Sequence, residues 1–94
     1  MFDIKIDKKN DIILSGRFDA SQVEKAKSVF DDINAFKIVD FSQLDYISSA
    51  GLGVLLMTQK RLKDKGDQLI LKNMNKHIRE VFKYAGFDMI FQIE

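Results

Sequence analysis

Short apolar stretches of period two alternate along this chain with longer stretches whose apolar residues recur every three or four positions. That alternation restricts the fold more than any other feature, because strands separated by helices pair into a parallel sheet through crossovers. Phe2, Ile4 and Ile6 are spaced by Asp3, Lys5 and Asp7, which predicts a half-exposed strand. Lys8-Lys9-Asn10-Asp11 reads as a polar turn, and Ile12-Ile13-Leu14 as the returning strand of an antiparallel hairpin. Gly16 and Asp19 then close the strand and open a helix, with Asp19 or Ser21 as N-cap. Val23, Ala26, Phe30 and Ile33 form the apolar face of that helix.

Phe36 to Phe41 predicts a third strand, more apolar and therefore central. Ser48 and Ser49 open a second helix that runs to Gly66, where a C-terminal glycine belongs. Leu69-Ile70-Leu71 is a further strand. Asn73 or Asn75 caps a third helix bearing Ile78, Val81, Phe82 and Ala85, stopped by Gly86, and Met89 to Ile93 predicts a last short strand. No proline, repeat or linker interrupts the 94 residues, a length suited to one core. The expected fold is a single α/β domain over residues 1–94, with a mixed central sheet opened by the hairpin and helices packed on it.

Composition removes several function classes. Fifteen Lys and Arg against fourteen Asp and Glu leave a formal charge of +1, without the basic excess of a nucleic-acid binder. Cysteine is absent, so disulfides and thiolate metal sites are excluded. Met1-Phe2-Asp3-Ile4-Lys5 carries charges where a signal peptide needs an apolar run, and the longest apolar run, Val54 to Met57, is too short to span a membrane. A cytoplasmic, monomeric protein with no cofactor and no metal is expected.

The informative stretch is Asp40-Phe-Ser-Gln-Leu-Asp-Tyr-Ile-Ser-Ser-Ala-Gly-Leu-Gly-Val-Leu-Leu-Met57. Here the third strand is expected to end at Asp40, placing a carboxylate at the carboxyl edge of the sheet, where α/β proteins build their sites. After a short loop, two serines stand at the start of a helix, whose free amides and partial positive charge suit a phosphate. Paired serines in this position are ordinarily caps and nothing more. The helix that follows adds to them. At 100° per residue, Leu52, Leu55, Leu56 and Leu62 group toward the sheet, while Gly53, Val54, Met57, Lys60 and Arg61 group outward. An outward glycine, valine and methionine beside the serines point to a partner surface.

This stretch resembles the signature of STAS domains, specifically of anti-sigma factor antagonists: a strand ending in Asp-Leu-Ser, an aromatic-apolar pair, then Asp-Ser-Ser/Ala-Gly-Leu. Leu14-Ser-Gly-Arg-Phe-Asp19 is similar to the family's Leu-x-Gly-x-Leu-Asp, and Lys65-Gly66-Asp67-Gln68-Leu69 and Tyr84-Ala-Gly-Phe87 to its later glycine turn and helix end. The resemblance implies partner switching. The unphosphorylated antagonist binds an anti-sigma factor, a serine kinase of the histidine-kinase-like ATPase fold, and so frees a sigma factor. The kinase phosphorylates the antagonist, which dissociates, and a metal-dependent serine phosphatase reverses the step. Aligned on Gly51, the phosphoacceptor falls on Ser49, with Ser48 the secondary candidate in the place of the family's Asp.

Face and resemblance together give an expected partner-binding set of Asp19, Asp40, Ser48, Gly51, Gly53, Val54, Met57 and Arg61. The competing expectation is a non-switching STAS module of a stress-signalling or lipid-transport assembly. Catalysis is not expected. The single histidine, His77, sits on the third helix as a solvated flank position, and Asp31-Asp32 reads as a polar helix face. No Gly-x-Ser-x-Gly elbow, Walker loop or dinucleotide fingerprint occurs. Ser42 and Thr58 are minor phosphoacceptor candidates on residue type alone.

Overall fold

A computed structural model describes residues Met1–Glu94. The chain runs through β1 (Phe2–Ile6), β2 (Ile12–Phe18), α1 (Val23–Phe30), β3 (Lys37–Ile47), α2 (Ser49–Lys63), β4 (Leu69–Lys72), α3 (Lys76–Tyr84) and β5 (Gln92–Ile93). Spatial strand order equals chain order. β1 and β2 form the antiparallel hairpin, and every later pairing is parallel. The hairpin turn is held by the Asp7 carboxylate, which accepts the Lys9 and Asp11 amides at 2.9 Å each.

Each parallel step moves one strand in the same direction, so right-handed crossovers place the helices on one face of the sheet. The burial pattern agrees. Ile12, Leu14, Val39, Phe41, Leu69 and Leu71 are buried beneath the helices, while Ile13, Ile38 and Ile70 on the opposite face are half-buried. Phe82 of α3 packs edge-on against Phe41 and Phe91, completing that core.

Three local expectations are revised. β3 does not end at Asp40 but continues to Ile47. Its pairing with β2 passes from Ile13↔Asp40 to Ser15↔Gln43 and from Gly16↔Leu44 to Arg17↔Tyr46, so β3 carries an extra residue at two points. Those bulges space the buried Phe41, Leu44 and Ile47 by three, which hides the strand from a search for period two. Gly16 lies inside β2 rather than at its end. Its φ is +80, and a Cβ there would sit 1.4 Å from the Met1 carbonyl oxygen, so only glycine fits. Asp19 caps a 3-10 turn, Ala20–Gln22, and α1 begins only at Val23; Ser21 donates to Asp19 instead of capping.

The other helix ends follow local chemistry. Gly66, at φ +83, donates to the Lys63 carbonyl while Asp67 donates to that of Leu62, the paired bonds of a Schellman stop. Asn75, and not Asn73, caps α3 by accepting the Ile78 amide at 2.8 Å.

Candidate functional site

The carboxyl ends of β2 and β3 meet at the pair Phe18↔Ile47. Just beyond them the Ser48 amide donates to the Phe18 carbonyl at 2.9 Å, which sets Ser48 beside Asp19 and fixes where α2 starts. The Ser48 hydroxyl accepts the Gly51 amide at 3.2 Å and is the N-cap. Ser49 follows as the first helical residue, exposed, with its hydroxyl in no hydrogen bond within the chain. The amides of Ser49 and Ala50 remain open at this end of α2, along with the positive end of the helix dipole. Beside them the Asp19 carboxylate accepts the Ser21 hydroxyl and amide, and these bonds, with the Arg17 charge, hold its pKa below the usual value. It stays ionised at neutral pH.

Starting at Ala50, next to Ser49, a groove of about 650 Å³ runs between α1 and α2, with Val23, Lys27 and Asp31 on one wall and Ala50, Gly53, Val54, Met57 and Arg61 on the other. Met57 is 69% exposed, and a Cβ added at Gly53 would meet nothing within 4 Å. The structure thus sets Ser48 and Ser49 near Asp19 at the start of α2, and Gly53, Val54, Met57 and Arg61 along the groove that opens after Ala50. The α1 wall escaped notice in the sequence, although Val23 and Lys27 are four apart and so share a helix flank.

Three residues of the expected partner set also have work inside the fold. Gly51 is buried: a Cβ would lie 3.0 Å from Ile47 Cγ1 and 3.1 Å from Phe18 Cγ, so it lets α2 start close over the strand ends. Val54 is only 7% exposed and belongs to the core while still lining the groove, and Leu56, expected to face the sheet, also reaches the groove surface. The cause is that α2 packs on α1 as well as on the sheet, which covers a wider arc than a one-faced helix would. Arg61 donates to the Ile33 carbonyl at 2.7 Å and to that of Phe30 at 2.9 Å, so its guanidinium is committed to the C-terminal end of α1.

Asp40 is not at this site. At ~3.3 Å per residue it lies roughly 20 Å along β3 from Ile47. It pairs instead with Lys72, the last residue of β4. Partial burial raises its pKa, but the Ser42 amide (2.8 Å), the Ser42 hydroxyl, the Asn73 side chain (3.3 Å) and the Lys72 charge outweigh this and bring it below the usual value.

His77 is exposed on α3, and no group of three or more His, Cys, Asp or Glu side chains is arranged to hold a metal ion. No helix is long and apolar enough to cross a membrane.

A family model described as "Mlab, STAS domain" matches residues 7–92. BtrV of Bordetella bronchiseptica, described as a candidate anti-sigma factor antagonist, is 45% identical over 56 residues, 60% of this chain and 48% of that protein. The matched segment thus spans about half of BtrV. The anti-sigma-B factor antagonist of Listeria monocytogenes is 25% identical over 91 residues, 89% of this chain and 77% of its own. Among solved structures, the anti-sigma factor antagonist SpoIIAA in its unphosphorylated form superposes with a TM-score of 0.75 at 21% identity, covering 100% of this chain and 88% of SpoIIAA. That likeness is one of fold.

Proposed function

This chain belongs to the STAS domain family, and on that premise we propose that it is a non-enzymatic anti-sigma factor antagonist switched by phosphorylation of Ser49. The unphosphorylated chain binds an anti-sigma factor that is itself a serine kinase of the histidine-kinase-like ATPase fold, and so releases a sigma factor. Phosphorylated, it lets go, and a serine phosphatase resets it. Relatives named as anti-sigma factor antagonists support the partner class.

One observation carries the assignment of the acceptor: Ser48 is occupied as the helix cap while the adjacent Ser49 hydroxyl is exposed and unbonded. A phosphate on Ser49 adds about two negative charges at neutral pH, within reach of the open α2 amides. Those amides hold it in place, so the fold has no reason to change. A partner seated over Ser49 and the α1–α2 groove would instead face a bulky dianion next to the ionised Asp19. A loss of ~3 kcal/mol in that contact weakens binding about a hundredfold.

The test is phosphosite mapping by mass spectrometry after incubation with ATP and a lysate of the source organism. Phosphate on Ser49, absent from Ser49→Ala, supports the switch. Ser49→Asp should fold as the wild type does and lose the kinase in titration calorimetry. Equal binding by wild type and Ser49→Asp would make the chain a static STAS module.

A further inference from the structure

The edge of β1 is complementary to itself. In the β1–β2 hairpin the Asp7 amide donates to the Asp11 carbonyl at 2.9 Å and the Arg17 amide to the Met1 carbonyl at 3.1 Å, in the register Phe2↔Gly16 to Ile6↔Ile12. Hydrogen-bonded pairs alternate along an antiparallel ladder, so Met1, Asp3, Lys5 and Asp7 bond to β2. Phe2, Ile4 and Ile6 therefore turn their N–H and C=O groups outward, away from the sheet. Two of these groups have only side-chain substitutes: the Phe2 carbonyl accepts Lys25 Nζ at 3.1 Å, and the Ile4 amide donates to Asp3 Oδ1 at 2.9 Å.

We propose that β1 pairs antiparallel with β1 of a second copy of this chain, about a twofold axis centred on Ile4. That register sets Ile4 against Ile4, with the outward groups of both in position to exchange hydrogen bonds. Phe2 falls opposite Ile6 of the other copy, which would cover an Ile6 side chain that is 58% exposed in the single chain. Asp3 falls opposite Lys5 on both sides of the axis. Within one chain Asp3 already lies 3.8 Å from Lys5 and 3.6 Å from Lys25, all accessible, so the second copy extends these pairs into an alternating ladder. Moving the twofold one residue either way sets Asp3 against Asp3 or Lys5 against Lys5, so charge selects the Ile4-centred register. The pairing departs from the monomer expected from the sequence. It leaves Ser49, on α2, outside the contact, and it does not rest on the proposed function. Five residues a side bury less than the ~800 Å² per partner of a standard interface, so the dimer is weak and concentration-dependent.

Sedimentation velocity on the full chain, up to about 1 mM, tests it, with circular dichroism to verify folding of each variant. Wild type should shift from monomer to dimer as concentration rises. Lys5→Asp turns two attractive pairs into two repulsive ones and should weaken association about tenfold or more. The double variant Asp3→Lys/Lys5→Asp should restore it. The chain has no cysteine, so Asp3→Cys/Lys5→Cys gives a second readout: a covalent dimer under mild oxidation. A wild type that stays monomeric throughout, or a dimer indifferent to Lys5→Asp, overturns the proposal.

Discussion

The Ser48 hydroxyl accepts the Gly51 amide at 3.2 Å, and this one contact separates two adjacent serines into a structural cap and a free hydroxyl. Exchanging either for alanine has different consequences. Ser48→Ala removes the cap of α2 and should lower unfolding free energy by ~1 kcal/mol. Ser49→Ala removes an exposed group with no partner and should change stability by less than ~0.5 kcal/mol. Urea titrations of the two variants make the comparison, and a larger loss for Ser49→Ala would reverse the assignment.

Gly53 presents the opposite case from Gly16. A glycine inside a helix costs ~1 kcal/mol relative to alanine, and at the half-buried Gly53 the space for a Cβ is empty. Gly53→Ala should therefore raise stability by ~0.5–1 kcal/mol while weakening the complex with the kinase, because the new methyl projects into the groove. Gly16→Ala, blocked by the Met1 carbonyl and by its positive φ, should be strongly destabilising. Thermal unfolding and calorimetric binding separate the two outcomes. A Gly53→Ala chain that is more stable and binds unchanged would move the partner contact off this face.

Asp40 predicts an acid-sensitive contribution to stability. Its folded pKa lies below the ordinary value of 3.8, so its bonds to Ser42 and Asn73 stabilise fully above the unfolded pKa and fade as pH falls through the folded one. Asp40→Asn should accordingly be less stable than wild type at pH 7, with the gap closing below about pH 4. Chemical denaturation across that range measures it. A gap independent of pH would assign the effect to geometry and not to the carboxylate charge.

What the residues dictate by themselves is local. The polar turn at Lys8–Asp11, a serine cap at Ser48 or Ser49, an asparagine cap at Asn73 or Asn75, the Gly66 stop and the alternation of strand and helix all follow from backbone chemistry within a few residues. Which of the two serines caps and which stays free is settled by the Ser48–Gly51 contact in the folded chain. Other features depend on neighbours remote in sequence. The far half of β3 escaped detection because its two bulges exist only in register with β2. Gln59 has the sequence character of a surface residue. Yet it is fully buried, accepting the Leu69 amide at 2.7 Å and donating to the Ile90 carbonyl at 3.1 Å. Val54 and Arg61 have outward positions on a helical wheel. Tertiary structure turned one into core and the other into a clamp on α1, because α2 is covered by both a sheet and a second helix. Periodicity reports that a face is buried; how wide that face is depends on how many elements close over it.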